Sequence, residues 1–471
     1  MMSRDWRVLC LAIVFFTGIY LYYYPPIHGI EDEAGYINLA FVWLHGTTLP
    51  TGSAMPKLFD FEEVNGREVS WRSPGRSAVL FPFLAIFGGK SIFVSSLLIH
   101  LLTTLFAALL LQRVGLSPLW ALLILFHPTL MLYSRTVMSD ELGAMFLLLA
   151  VGAVTFRRNS GLWVGIFIGL AAFARLHAAF AVPFVAAAFW LSGKKSQAIW
   201  TVFAASVVGA LIIAYNYFTV GTPILYLHAE FGLEYLPERL AFYIPALLIL
   251  FPLQLVAPVF DDTNMRWYSR AITLPIFGLL LFYFWNDAGP GFLDTLVLGQ
   301  RLLVLILPIW LIGYARSIKR LSYRFELDKF VQGNKNIVLS AVCFVLLISQ
   351  VVIFQKHQEH LLNFRHAIEE VAELVPANSL VVTNRGMGKF LGTPAMDPPP
   401  VDLVLYHFSD DDFDEGRIST AVGHPWFIVF LRKTEDQMIP PTFDRLIVQH
   451  KMQKLDTNSP DLNVYMAEAG K

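Results

Sequence analysis

The sequence predicts an all-α, multi-pass membrane protein with a small α/β domain at its C-terminal end. Of the 471 residues, 56% are hydrophobic and only 15% are charged, whereas soluble domains carry about 25% charged residues. Apolar runs of about 18–25 residues, the length needed to cross a bilayer, recur over the first 355 residues. Beyond that point polar residues return and the apolar repeat shortens, which indicates a domain outside the membrane.

The apolar runs predict about eleven transmembrane helices, since lipid-facing spans must satisfy their backbone amides internally. The segment 77–87 is too short to span and ends in Gly88-Gly89, so it predicts an interfacial or re-entrant helix. The alternative is one bent span over 77–99. The predicted spans are 6–24, 91–111, 118–134, 141–156, 161–174, 178–191, 197–217, 240–260, 271–285, 301–315 and 336–354.

The charges of the connecting loops predict the topology. With a cytoplasmic N-terminus every predicted inner loop is basic, as at Arg157-Arg158 and Lys194-Lys195, and cytoplasmic loops are enriched in Lys and Arg. We therefore expect an integral plasma- or inner-membrane protein with its C-terminal domain on the outer (periplasmic, extracellular or lumenal) side. The first apolar run ends in tyrosines and Pro25-Pro26 rather than small residues, which favours a retained signal-anchor helix.

Two domains follow from this pattern. Residues 1–354 form the transmembrane domain, with an outer loop over 25–76, and residues 355–471 form the outer-side domain. The elements predicted in the second domain are an amphipathic helix over 357–374 and strands over 379–383, 402–406 and 426–431.

The composition and the remaining motifs exclude several classes of site. The net charge is −1 and no basic domain is present, which argues against nucleic-acid binding. The acidic run 410–416 has its glycine one place late for a calcium loop. The segment 385–389 lacks the spacing of a phosphate loop and predicts a turn.

Charged residues next to apolar runs cluster on the predicted outer face. Asp32 and Glu33 open an amphipathic helix predicted to run to His45. Isolated charges beside apolar runs are costly and tend to be functional, so a single site is expected. Further members of the set are Arg72, Arg76, Arg135, Asp140, Arg175, His177 and Arg301.

Several of these residues also have purely structural explanations. Asp32 and Glu33 could have no role other than to complement a helix dipole, and Asp140 could serve solely as the N-cap of the fourth span. Arg135 could extend to the lipid headgroups, and His177 could be a packing histidine. The three carboxylates could also hold a divalent ion, but no pattern indicates one, and we expect no cofactor.

A carboxylate beside arginines at a membrane surface suits one reaction class in particular. The carboxylate can act as general base on an acceptor hydroxyl, and arginines hold phosphate bidentately. A sugar phosphate already carries a good leaving group, so the second carboxylic acid of ordinary glycoside hydrolysis is not required. Attack on the anomeric carbon would invert it, with arginines neutralising the departing charge.

Short motifs stand in a fixed order along residues 6–315. They are Asp32-Glu33 with Tyr36, Ser73-Pro74-Gly75 before the short helix, Pro128 with Ser134-Arg135 and Asp140, the run from Gly169 to Arg175, the run from Asn216 to Pro223, and Arg301 at the start of a late span. In this order and spacing the chain resembles the C-type (GT-C) multi-pass glycosyltransferases that use polyprenyl-phosphate sugars. The branch it resembles contains the protein O-mannosyltransferases and the lipid A aminoarabinose transferase.

The resemblance implies a GT-C fold, with Asp32 as catalytic base supported by Glu33. It also implies a lipid-linked sugar donor that enters from the outer leaflet. The chain departs from the family at Glu31, an extra acid before the pair, and at Pro74-Gly75, where a double proline is usual. The tail is unlike the extra domains of the eukaryotic O-mannosyltransferases, which leaves the acceptor open.

Our leading hypothesis is an inverting glycosyltransferase that moves a sugar from a polyprenyl-phosphate carrier to an outer-side lipid, glycan or protein hydroxyl. Its expected partners are that donor, membrane lipid and an unknown acceptor, without nucleic acid. One alternative is a transporter or flippase of lipid-linked substrates, although transporters place ionisable residues mid-membrane in repeated, broken helices. Another is a non-catalytic envelope assembly subunit, which would tolerate loss of Asp32.

Overall fold

In the computed structural model, apolar helices pack side by side and a mixed sheet follows them at the C-terminal end. The structure describes residues 3–45, 61–64, 67–70, 72–156, 160–221, 232–250, 265–282, 300–324, 335–377, 379–396, 403–407, 425–431 and 441–467. Its main α-helices are Arg4–Tyr22, Glu31–His45, Pro74–Phe87, Ile92–Arg113, Leu122–Leu125, Pro128–Tyr133, Asp140–Phe156, Gly161–Ala174, Ala181–Leu191, Lys195–Val220, Leu236–Leu250, Arg266–Leu281, Leu307–Arg324, Lys335–Leu374, Arg385–Leu391 and Pro441–Gln449.

The helices identify an integral membrane protein. Within the described ranges, three are long and apolar enough to cross a bilayer: Arg4–Tyr22, Gly89–Arg113 and Lys195–Thr219. Large apolar side chains such as Phe203 and Leu211 are exposed on the third of them, as expected for contact with lipid. The predicted number of about eleven spans is not confirmed.

Two predicted spans contain breaks. The span 118–134 consists of a 3-10 turn Pro118–Ala121 and two short helices, Leu122–Leu125 and Pro128–Tyr133. Proline starts two of these pieces because it has no amide hydrogen and fits the first turn of a helix. The span predicted at 301–315 likewise opens with a 3-10 turn, Arg301–Leu305.

The long helix, Lys335–Leu374, is continuous over 40 residues. It joins the last predicted span, 336–354, to the amphipathic helix predicted over 357–374. The sequence between these residues contains neither glycine nor proline, so no residue type interrupts the backbone hydrogen bonds. The change in composition at residue 355 therefore falls within a helix.

The acidic helix, Glu31–His45, begins one residue before its predicted start and has three carboxylates in its first turn. It packs against Pro74–Phe87. Gly75 of Pro74–Phe87 allows a close crossing with a third helix, Gly161–Ala174, because a Cβ there would lie 2.6 Å from the carbonyl oxygen of Phe173. A strand pair, β1 Phe61–Val64 and β2 Arg67–Ser70, lies between the acidic helix and Pro74–Phe87 in sequence.

The described residues that follow the long helix, which we call the C-terminal domain, contain a five-stranded sheet. Its strands are β3 Leu380–Asn384, β4 Leu403–His407, β5 Trp426–Leu431, β6 Gln453–Leu455 and β7 Leu462–Met466, in the order β4-β3-β5-β7-β6. The first three are parallel and lie within one residue of their predicted positions. The segment 385–389, predicted as a turn, begins the helix Arg385–Leu391. The acidic run 410–416 lies outside the described residues.

Candidate functional site

Asp32 lies in the first turn of the acidic helix between two arginines. Nη1 of Arg72 is 2.8 Å from Oδ1 of Asp32, and Nη2 of Arg301 donates a hydrogen bond to Oδ2. Arg72 stands just before the helix Pro74–Phe87, and Arg301 opens a 3-10 turn. Each oxygen of the carboxylate thus faces a guanidinium group, and the Asp32 side chain is still 18% exposed.

Asp140 forms the deeper half of the same arrangement. It begins the helix Asp140–Phe156, and its side chain is only 1% exposed. Nε of Arg175 lies 3.2 Å from Oδ1 of Asp140, and Nε of Arg301 lies 3.8 Å from Oδ2. Arg301 therefore links the two carboxylates, and we call the five residues Asp32, Arg72, Asp140, Arg175 and Arg301 the Asp–Arg cluster.

The cluster has more positive than negative charge. Three guanidinium groups face two carboxylates within the set. Arg72, Asp32 and Arg175 retain more exposure than Asp140 and Arg301. The cluster is consequently open at its Asp32 side and suited to an anion, because guanidinium groups recognise phosphate and carboxylate oxygens.

The environment of Asp32 keeps its carboxylate ionised. Burial alone raises the pKa of Asp32, but the charges of Arg301, then Arg72 and Arg175, outweigh burial and hold the pKa well below its usual range. A nearby opposite charge favours the ionised form of a carboxyl group. Asp32 is thus a weak base while both arginines stay bound to it.

Glu33 contacts backbone amides. Its Oε2 accepts hydrogen bonds from the amides of Gly29 at 2.9 Å and Ile30 at 2.8 Å, and its Oε1 accepts one from Val137 at 2.6 Å. The side chain is buried, which raises its pKa. Glu33 therefore joins the loop before Asp32 to the loop before Asp140, and it supports both carboxylates through the backbone.

Arg76 and Arg135, also predicted as site residues, contact groups outside the Asp–Arg cluster. The side chain of Arg76 is fully buried and donates to Ser95 Oγ at 3.0 Å, to Ser96 Oγ and to the carbonyl of Val137. These contacts join the helix Pro74–Phe87 to the helix Ile92–Arg113. Arg76 thus fixes the segment that carries Arg72.

Arg135 ties the end of the first helix to the long helix. Its guanidinium donates to His357 Nδ1 at 3.0 Å, to Gln358 Oε1 at 2.8 Å and to the carbonyl of Tyr23. It also lies over the ring of Phe354, 4.7 Å from the centroid, within the range of a cation–π interaction.

His177 lies in the 3-10 turn Leu176–Phe180, two positions after Arg175. The structure thus keeps His177 beside the Asp–Arg cluster, as predicted from the sequence, and the role of the residue remains a prediction.

Sequence reasoning missed a second layer of polar contacts around the acidic helix. Tyr36 Oη and Ser139 Oγ are 2.7 Å apart, and Nζ of Lys389 donates to the carbonyl of Gly29 at 2.6 Å. Tyr36 was visible from the sequence as a motif position. Nothing in the sequence around Lys389 indicates that it reaches residue 29.

Metal ligation finds no support in the described ranges, where no group of three or more His, Cys, Asp or Glu residues could hold a metal ion. In the Asp–Arg cluster the carboxylate oxygens face guanidinium nitrogens instead.

The fold is similar to that of ArnT from Cupriavidus metallidurans. The apo structure of ArnT gives a TM-score of 0.63 at 11% sequence identity, covering 99% of both chains. The structure of ArnT bound to undecaprenyl phosphate gives a TM-score of 0.57 at 11% sequence identity, with the same coverage of both chains. No family model and no curated protein matches the sequence. At this identity the likeness shows the fold, so the predicted GT-C fold is confirmed, and it extends through the C-terminal domain.

Proposed function

We propose that this protein is an integral-membrane, inverting glycosyltransferase that moves a sugar from a polyprenyl-phosphate carrier to a hydroxyl group on the outer side of the membrane. One observation carries the proposal: Asp32 is held between Arg72 and Arg301 in a cluster that contains three guanidinium groups. The GT-C fold supports it, since ArnT has this fold and has been captured with undecaprenyl phosphate.

The charge of the cluster suits the donor. A sugar joined to a lipid through one phosphate carries a single negative charge on that phosphate, and the Asp–Arg cluster contains three guanidinium groups that can bind it. Arg72 and Arg301 would hold the phosphate oxygens with paired N–H groups. They would then stabilise the charge that develops as the carrier phosphate leaves.

Binding of the donor would also activate Asp32. When the phosphate draws Arg72 and Arg301 away, the carboxylate loses the charges that depress its pKa, so its basicity rises. Asp32 would take the proton of the acceptor hydroxyl. The acceptor oxygen bonds to the anomeric carbon as the bond from that carbon to the phosphate oxygen breaks, with its electron pair going to the phosphate.

The remaining residues hold this machinery in place. Asp140 orients Arg301 and Arg175 from the buried side, and Arg175 with His177 forms the neighbouring edge of the donor site. We assign Glu33 to the support of Asp32 through the loop amides. The proposal includes a cytoplasmic N-terminus and an outer-side site, with no metal or cofactor.

The arginines that contact other groups receive structural roles in this proposal. The hydrogen-bond partners of Arg76 and Arg135 lie on neighbouring helices and loops, which favours roles in holding the bundle together. The chemistry of phosphate binding then falls to Arg72, Arg175 and Arg301.

A reconstitution experiment tests the proposal. Purified full-length protein in liposomes is given radiolabelled polyprenyl-phosphate sugars and an extract of envelope acceptors, and transfer is measured. We expect label in an acceptor with the wild type, at least 100-fold less with Asp32→Asn, and near-normal transfer with Glu31→Gln, a matched change in the same helical turn. Full transfer by Asp32→Asn would refute the assignment, and movement of intact donor across the bilayer would favour the transporter alternative.

A further inference from the structure

The C-terminal domain contacts the loop that precedes Asp32. Nζ of Lys389 donates to the carbonyl of Gly29 at 2.6 Å, and Nε2 of His28 donates to the carbonyl of Lys389 at 3.0 Å. Nδ2 of Asn38, on the acidic helix, donates to the carbonyl of Gly392 at 2.7 Å. The domain is thus bonded to both the loop and the helix that position Asp32.

Gly29 is held from three directions. Its amide donates to Glu33 at 2.9 Å, and its carbonyl accepts from Lys389. A Cβ at this position would lie 2.8 Å from Cδ2 of Leu361, so the long helix packs directly against it. Because Gly29 is only three residues before Asp32, a shift of its peptide changes the direction in which the carboxylate points.

Lys389 is itself tightly placed. The residue is 8% exposed, and its ammonium group lies 4.8 Å from the ring centroid of Phe364 and 4.9 Å from that of Phe390. Aromatic faces stabilise a cation that has lost part of its water, and a buried charge otherwise needs a partner. These contacts restrict the ammonium to one position above the Gly29 carbonyl.

The placement of Lys389 follows from the sheet. Strand β3 leads directly into the helix Arg385–Leu391, which carries Lys389. In open α/β sheets, the carboxyl ends of parallel strands form the edge that usually binds ligands. In this protein, the helix at the end of β3 binds a loop of the same chain.

We propose that Lys389 is a positioning residue through which the C-terminal domain sets the orientation of Asp32. The inference rests on the proposed glycosyltransferase function and gives the domain a role in it: docking of the domain is required for the full chemical rate, while donor affinity depends on the Asp–Arg cluster.

The test uses full-length Lys389→Met, with Lys389→Arg as the conservative variant and Lys454→Met, an exposed lysine of the same domain, as control. Hydrogen exchange is measured first, without substrate. We expect exchange at the amides of Gly29 and Ile30 to rise about tenfold or more in Lys389→Met, with partial recovery in Lys389→Arg and no change in the control. Unchanged exchange in a folded Lys389→Met protein would overturn the proposal.

Steady-state kinetics then separates this inference from the proposed function. We expect kcat of Lys389→Met to fall about 10- to 100-fold, while KM for the donor stays within about threefold of the wild type and Lys389→Arg recovers part of kcat.

Higher exchange with normal kcat overturns the positioning role and leaves the transferase intact. Absence of transfer by the wild type overturns the proposed function, and the positioning role falls with it even if the exchange result holds. If Lys389→Met does not fold, hydrogen exchange and kinetics of Lys389→Gln test the positioning role in its place.

Discussion

Nη1 of Arg72 lies 2.8 Å from Oδ1 of Asp32, although forty positions separate the two residues in sequence. In the ligand-free protein the proposed base is therefore neutralised by the same group that is proposed to bind the donor phosphate. The two functions compete for one guanidinium, and this competition makes the basicity of Asp32 depend on whether donor is bound.

The first prediction concerns pH. The pKa of Asp32 is depressed in the free protein, so the carboxylate is ionised through neutral pH and is protonated only in strong acid. Release of Arg72 and Arg301 to the phosphate should raise this pKa in the complex. Since kcat/KM reports the free enzyme and kcat reports the complex, the acid limb of kcat should lie at higher pH than that of kcat/KM. Rates measured at limiting and saturating donor between pH 4.5 and 8.5 check this: we expect an acid limb in kcat and none in kcat/KM within this range, and coincident limbs would contradict the prediction.

The second prediction concerns Arg301, which links both carboxylates. Lysine keeps the charge but lacks the planar, branched donor group with which arginine reaches Asp32 through Nη2 and Asp140 through Nε. We expect Arg301→Lys to lower kcat/KM about 100-fold, the size of effect seen when one transition-state donor is lost. The matched control is Arg365→Lys, whose arginine pairs with Glu369 on an exposed face and should leave transfer unchanged. Equal behaviour of the two variants would show that the linkage is dispensable.

The third prediction separates Glu33 from Asp32. Glutamine at position 33 would present an NH₂ group to one of three amide donors, so at least one hydrogen bond is lost. Because bonds to a charged acceptor are worth about 1.5–3 kcal/mol, we expect Glu33→Gln to lower the free energy of unfolding by roughly that amount. Unfolding in denaturant of the detergent-solubilised protein measures this loss, and Glu31→Gln is the comparison. A stable Glu33→Gln protein that lacks all transfer would instead indicate a direct catalytic role.

The fourth prediction tests the close crossing at Gly75. An alanine Cβ would lie 2.6 Å from the carbonyl oxygen of Phe173 and 2.7 Å from the amide nitrogen of Ala174. Backbone atoms cannot rotate away, so Gly75→Ala should destabilise the protein by about 1–3 kcal/mol, as overpacking does. It should also weaken transfer, since Arg72 and Arg175 lie next to the two contacting segments.

Gly209→Ala is the control for that crossing. A Cβ at Gly209 meets no atom within 4 Å in the described structure, and alanine is favoured over glycine inside a helix by about 1 kcal/mol. We therefore expect Gly209→Ala to be as stable as the wild type or more stable. Thermal unfolding of both variants measures the difference in stability. A Gly75→Ala protein whose unfolding temperature equals that of the wild type would refute the close approach of the backbones at Gly75.

Much of the site was predictable from residue type and position. Asp32, Asp140, Arg72, Arg175 and Arg301 were expected on one face because each stands at the end of an apolar run, and the structure brings all five together. Charges in such places are expensive and tend to be paired. The pairing itself was not predictable, because it depends on how helices far apart in sequence pack.

The features that the sequence did not predict have the same physical origin. Arg76 looks like Arg72 in sequence, yet its neighbours in space are serine hydroxyl groups of the next helix. The continuation of the long helix through residue 355 was missed because hydropathy reports the change from lipid to water, whereas helix continuity depends on backbone hydrogen bonds. Lys389 was missed because only the folded sheet brings it to Gly29.

The long helix has a mechanical consequence for the enzyme. Its 40 residues measure about 60 Å, roughly twice the hydrocarbon thickness of a bilayer. A spanning helix tilts when the bilayer around it is thinner than its apolar length. Leu361 of the same continuous helix packs against Gly29, so we expect a tilt of this helix in the lipid to shift the loop before Asp32. Under the proposed function, the thickness of the surrounding membrane should therefore change the rate of transfer, and acyl-chain length in the liposomes becomes an experimental variable.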